Sequence, residues 1–450
     1  MMIIHNPLPT FHPFRWAFLL LSFLLCVPTM ADGEASIEPV LNNMARITHV
    51  TPLENTMGYA EKFVVKFTQP LSHQNPELGS FSQRVVVMHR SASRPTVIVT
   101  EGYSAGYALS PRYLEELSYL FNTNVVFVEH RYFAESTPTP CDWRYMTDRN
   151  AMDDLHDIVQ AFRSALYPQK WISTGISKGG QTCMEFRAFY PEDVDVSVPY
   201  VGPLCYAVED GRHEPFLRQN GTPADRKRIL DFQTEMLKRK AQLLSAFEAH
   251  CLKNHLRFNL PMRDIYDYCV LEYSFAHFQW GTPTERIPSL TAPDETLLRE
   301  LLTIAGPEYF SPNKDFTPFF YQAAYELGYY GYDLRPFRGL TSIKSTRHYL
   351  RDVMLPDSLK HTRYHKQLSR YVRRYLQKND PKMLFIYGQI DPWTAAGVTW
   401  LKNKQQMRVY VQPGGSHLAR IQNMPADLRK EILQVLSDWI GEKPVIQAKP

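Results

Sequence analysis

Residues 171–180 run from an apolar segment through Gly175-Ile176-Ser177-Lys178-Gly179, a G-x-S-x-G pattern, into a helix-like segment. That succession asks for a strand that doubles back into a helix, with Ser177 on a tight turn and its hydroxyl exposed. Gly175 and Gly179 then stand where side chains would collide as the strand reverses. The following helix aims its first N–H groups at the oxygen of any acyl group attacked at Ser177. Five residues with two glycines and a serine arise often by chance. The pattern gains meaning only from the rest of the chain.

At 450 residues the chain can hold one large α/β domain with an insertion. A formal charge of +4, without a basic tract, gives no support for nucleic-acid binding. Near the N-terminus Arg15 precedes the apolar run 16–27, then Pro28-Thr29-Met30-Ala31. The run is short for a membrane span but has the length of a signal-peptide core, with small residues placed for cleavage after Ala31. Residues 1–31 therefore read as a signal peptide. The mature chain is expected to be exported, periplasmic or secreted, with no stable membrane insertion. Five cysteines remain: Cys141, Cys183, Cys205, Cys251 and Cys269. An odd number leaves at least one free thiol; Cys251 and Cys269 could pair, and Cys183 reads as a buried small hydrophobe. No C-x-x-C or H-E-x-x-H occurs, so no metal or other cofactor is expected.

Segments 63–67, 84–88, 95–100, 124–129, 171–174 and 195–201 read as strands. Between them lie helical stretches at 111–120 and at 150–166, whose Met152, Leu155, Ile158, Val159, Phe162 and Leu166 form one stripe. Such alternation implies a mostly parallel sheet covered on both faces. From about residue 209 to residue 359 strands vanish, and 223–250 reads as one long helix. Strands return at 383–387 and 408–412, and the helix 426–440 closes the chain. The fold class is α/β: an α/β-hydrolase fold with an inserted α-helical cap. Its parts are 32–208, the cap 209–359, and 360–450.

Catalytic groups in open α/β sheets gather beyond the carboxyl ends of the strands. Ser177, Asp391 in Gly388-Gln389-Ile390-Asp391-Pro392-Trp393, and His417 in Gly414-Gly415-Ser416-His417 all follow strands, in the order of an α/β-hydrolase triad. The serine would attack a carbonyl, the histidine move its proton, and the aspartate hold the imidazole tautomer. The oxyanion hole would use the N–H groups of Lys178 and Tyr103. The Lys178 side chain reads as a solvent-facing residue at the helix start.

The blocks Glu129-His130-Arg131-Tyr132-Phe133-Ala134-Glu135-Ser136, 175–180, 388–393 and 414–417 together resemble the secreted bacterial tripeptidyl-aminopeptidase family of serine peptidases. Met152-Asp153-Asp154-Leu155-His156-Asp157-Ile158 fits the same pattern. The prolylcarboxypeptidase and dipeptidyl-peptidase branch is related, but Ala134 stands where that branch usually has glycine. The resemblance spans the mature chain. It implies release of short peptides, tripeptides foremost, from a free N-terminus, with a helical cap limiting access. A dipeptidyl- or prolyl-type peptidase, a carboxylester hydrolase and a non-catalytic peptide-binding protein stay open as alternatives, as does the oligomeric state. An aminopeptidase of this kind needs a carboxylate for the substrate ammonium. Glu129 and Glu326 are the candidates. Against them stand an ion pair of Glu129 with Arg131 and a cap-stabilising contact for Glu326. Asp153, Asp154 and Asp157, in the first turns of a helix, read as structural.

Overall fold

The computed structural model describes residues 35–312 and 316–445; the signal-peptide reading and Cys26 fall outside them. Nine strands form one sheet: β1 (Ile47–Pro52), β2 (Glu61–Pro70), β3 (Ser80–His89), β4 (Thr96–Thr100), β5 (Asn124–Val128), β6 (Trp171–Ile176), β7 (Val196–Tyr200), β8 (Met383–Gly388) and β9 (Met407–Gln412). Their spatial order is β1-β2-β3-β5-β4-β6-β7-β8-β9. β1, β2 and β3 pair antiparallel, β3 joins β5 antiparallel, and every pair from β5 onward is parallel.

The strand period of two explains the near-continuous apolar runs. On β4, Val97 and Val99 pack on the face covered by Ile432, Leu436 and Ile440 of the helix Ala426–Ile440. Ile98 points the other way, against Leu155, Ile158, Val159 and Phe162 of the helix Asp148–Ala165. β1 was not expected from sequence, and β2 and β3 are longer than expected. Their ten-residue antiparallel register runs from Glu61 opposite His89 to Pro70 opposite Ser80. Lys62, Lys66, Thr68 and Gln69 break the apolar signal of β2 there.

Among the described residues the chain makes only helices and turns between β7 and β8. The expected single helix over 223–250 is two, Pro223–Lys238 and Lys240–Lys253, parted at Arg239. The Arg239 guanidinium bonds the Leu290 carbonyl and Asp294 as well as Glu235 one turn back. This anchors the break to a neighbouring loop. The cap core is aromatic. Tyr330 stacks on Phe275 at 3.8 Å, and Trp393, two residues past Asp391, meets both rings edge-on. The cap is thereby keyed into the loop after β8.

All five described cysteines are free thiols. Cys251 and Cys269 therefore do not pair. Both are buried in the cap core on neighbouring helices, and burial pushes the Cys251 thiol up to about 12.

Candidate active site

At the end of β6 the backbone does what the glycine spacing requires. Ser177 sits at φ 59° and ψ −120°, a conformation costing a non-glycine residue roughly 1–3 kcal/mol. It is held there by its own N–H to the Tyr200 carbonyl at 2.9 Å and by its carbonyl, which accepts the Gln181 N–H at 2.9 Å. A Cβ on Gly175 would lie 2.2 Å from the Gly179 carbonyl oxygen, so only glycine lets strand and helix approach so closely. The helix Lys178–Phe189 begins immediately after the serine.

Asp391 and His417 come together past β8 and β9. His417 Nδ1 lies 2.7 Å from Asp391 Oδ2, with Asp391 fully buried and His417 at 5% exposure. The other aspartate oxygen accepts the Trp393 N–H at 3.1 Å. Both oxygens are thus oriented, and the imidazole is fixed with Nδ1 toward the carboxylate. The cap holds the histidine from the other side. Its N–H donates to the Gln279 carbonyl at 2.9 Å, and the Trp280 ring stands edge-on to the imidazole at 6.1 Å. Both belong to the last turn of the helix Met262–Trp280. Sequence reasoning had no means of finding this contact, since 138 positions separate Gln279 from His417.

Tyr103 follows β4, as the oxyanion-loop expectation requires. It is the hydroxyl that the structure sets beside the Ser177 hydroxyl and the Lys178 N–H. Burial pushes that phenol up, so it stays protonated and able to donate. The ring is wedged between Phe133 at 5.8 Å and Phe319 of the cap at 5.4 Å.

Lys178 overturns its expectation. Its side chain is 3% exposed rather than solvent-facing. It runs inward beneath Gly102, so that a Cβ there would meet Lys178 Cγ at 2.6 Å. Close packing against the oxyanion loop leaves no route outward.

Glu129 is likewise corrected, both as an amine site and as a partner of Arg131. One oxygen accepts from Arg84 Nε at 3.0 Å and the Ala105 N–H at 2.8 Å; the other accepts the Ser136 N–H and hydroxyl at 3.1 and 2.8 Å. Fully buried and so engaged, it has no oxygen to offer a substrate. Arg131 turns instead to Asp154, which it grips bidentately at 2.6 and 2.7 Å. Asp153 pairs with Arg149 and Asp157 with Arg46, in keeping with a structural role for the acidic set. Glu326 lies in a π-turn, Ala323–Leu327, and its Oε1 accepts the Asp148 N–H at 2.6 Å. It therefore caps a helix of the sheet domain from the cap side. Burial and the neighbouring Asp148 hold its carboxyl well above the usual range.

A mostly parallel sheet with a serine on a strained strand-to-helix turn, an aspartate and a histidine past later strands, and a helical insertion defines an α/β-hydrolase. The chain belongs to the PS-10 peptidase S37 family, whose profile spans residues 41–450. It is a serine peptidase. It is 29% identical over 395 residues to the prolyl tri/tetrapeptidyl aminopeptidase of Streptomyces mobaraensis, covering 85% of this chain and 80% of that one. Among solved structures, the proline iminopeptidase of Mycobacterium smegmatis is 13% identical, with a TM-score of 0.36 over 83% of this chain and 98% of that one.

Proposed function

We propose that the protein releases short peptides, tripeptides foremost, from the free N-terminus of peptide substrates through an acyl-enzyme on Ser177. The observation that carries this reading is the buried Asp391–His417 pair past β8 and β9 together with the strained serine turn after β6, in a chain of this family. His417 Nε2 takes the Ser177 proton as Oγ attacks the carbonyl carbon, then gives it to the departing amine. Water repeats the sequence in reverse roles, freeing the peptide acid and regenerating the serine. Asp391 stabilises the imidazolium at each passage. The carbonyl oxygen, negative in both tetrahedral intermediates, is received by the Lys178 N–H and the Tyr103 hydroxyl.

Two cap contacts support an exopeptidase. Phe319 reaches Tyr103 at the elbow, and Gln279 holds the histidine loop, so the cap approaches the site from two sides. A long chain threaded through both directions would have to displace them. The Streptomyces relative's tri- and tetrapeptidyl activity accords with this restriction. Export, with residues 1–31 removed, belongs to the same proposal. No helix among the described residues is long and apolar enough to cross a membrane.

Mass spectrometry of products from one peptide, with and without an N-terminal acetyl group, tests the reading. Tripeptides are expected from the free form alone. Equal cleavage of the acetylated form, or turnover of simple esters without peptides, would sink it. Tyr103→Phe is expected to lower kcat roughly 10²–10³-fold, the usual cost of one oxyanion donor, with KM little changed. A kcat within about threefold of wild type would return the donor role to the Tyr103 N–H.

A further inference from the structure

We propose that Lys178 is a positioning residue for the oxyanion hole: its buried stem, packed under Gly102, and its ammonium, drawn to the Tyr103 ring, hold the Gly102–Tyr103 loop against the elbow. The inference rests on the reading of Ser177 as nucleophile.

A lysine at 3% exposure needs a reason to exist. Its stem occupies the space under Gly102, with Cβ 2.7 Å and Cγ 2.6 Å from where a Cβ would stand. Loop and lysine therefore fit only each other. Its Nζ lies 6.0 Å from the centre of the Tyr103 ring and 5.6 Å from that of Phe133, within the range at which a cation is drawn to an aromatic face. The ring whose hydroxyl meets Ser177 is thus tethered by the side chain of the residue that follows Ser177.

The acidic groups whose charge acts on the ammonium belong to four different segments. Glu185 belongs to its own helix, Asp148 starts the helix Asp148–Ala165, Glu101 precedes the oxyanion loop, and Glu326 comes from the cap. His130, on the loop after β5, also feels the charge, which with burial keeps its imidazole neutral. The Asp148 and Glu185 carboxyls are close enough for the charge of Asp148 to raise that of Glu185. Burial drives both upward, Asp148 to about 6, so this pair retains a proton. Desolvation alone would strip the lysine of its proton, and the carboxyls oppose that. The balance leaves Lys178 lowered to about 8. Below that pH the ammonium is charged and the tether is present; as pH rises through it, the tether is lost.

The substrate's own ammonium titrates in the same range, so the test uses a probe without one. The rate of Ser177 phosphonylation by an uncharged fluorophosphonate is measured against pH. Wild type should slow on the alkaline side with a midpoint near 8. Lys178→Met should react about 10²-fold more slowly at neutral pH and lose the alkaline fall. Asp148→Asn, which removes a carboxyl that is ionised by pH 8 and favours the charged lysine, should move the midpoint downward. A Lys178→Met rate within about threefold of wild type, with the same pH profile, overturns the proposal. So does an unmoved midpoint in Asp148→Asn, which serves alone if Lys178→Met does not fold. A wild type that takes no label at all overturns the nucleophile reading, and this one with it.

Discussion

Ser177→Ala will lower kcat roughly 10⁴–10⁶-fold while the protein remains folded. The magnitude follows from what alanine removes and what it leaves. The nucleophile disappears, but the Asp391–His417 hydrogen bond, the Lys178 N–H and the Tyr103 hydroxyl all remain. Rate enhancement over water is then confined to binding and oxyanion stabilisation. Alanine does not relieve the φ of 59° either, because any Cβ bears that strain. Stability should accordingly hardly move, and a urea midpoint close to wild type is the control. His417→Ala is expected to cost a similar factor, and the double variant little more than either alone, since the two groups act as one unit. Steady-state kcat on a tripeptidyl chromogenic substrate measures all three. Residual activity above about 1% in Ser177→Ala would remove the serine from the mechanism.

The parts of this molecule readable in the sequence are those written in local pattern. β4 to β8 announce themselves by short apolar runs because both faces of a parallel sheet are buried there. The elbow announces itself because the steric demand of the turn falls on glycines two residues either side of Ser177. Asp391 and His417 follow from chain order past those strands. Side-chain partnership is another matter, because it depends on which loops meet. Glu129 and Arg131 are two residues apart and of opposite charge, yet each bonds elsewhere. Arg84 reaches Glu129 from the adjacent strand β3, and Asp154 reaches Arg131 from the helix packed below. Lys178 shows the same limit. A lysine at a helix start is ordinarily solvated, and only the assembled site, with acids from the oxyanion loop, two helices and the cap, gives it a place inside. The break at Arg239 likewise depends on a loop some 50 residues downstream.

Glu129→Ala separates partnership from substrate binding, and its expected result is a loss of stability of about 3–5 kcal/mol. The carboxylate is fully buried and joins three segments: Arg84 on β3, Ala105 on the oxyanion loop, and Ser136 on the turn after β5. Removing it strands the Arg84 guanidinium in a buried site, with only Glu135, half exposed, left as an ionic partner. It also leaves the Ala105 and Ser136 N–H groups without their acceptor, and unmet buried donors carry a desolvation cost of their own. Glu129→Gln keeps an acceptor oxygen and should lose less. Urea unfolding of the three proteins gives the order wild type, glutamine, alanine. Because Ala105 lies two residues past Tyr103, kcat should fall in step with stability while KM for free and acetylated peptides changes alike. A Glu129→Ala protein of wild-type stability, with KM raised more than about tenfold for free peptides alone, would instead make Glu129 the amine site.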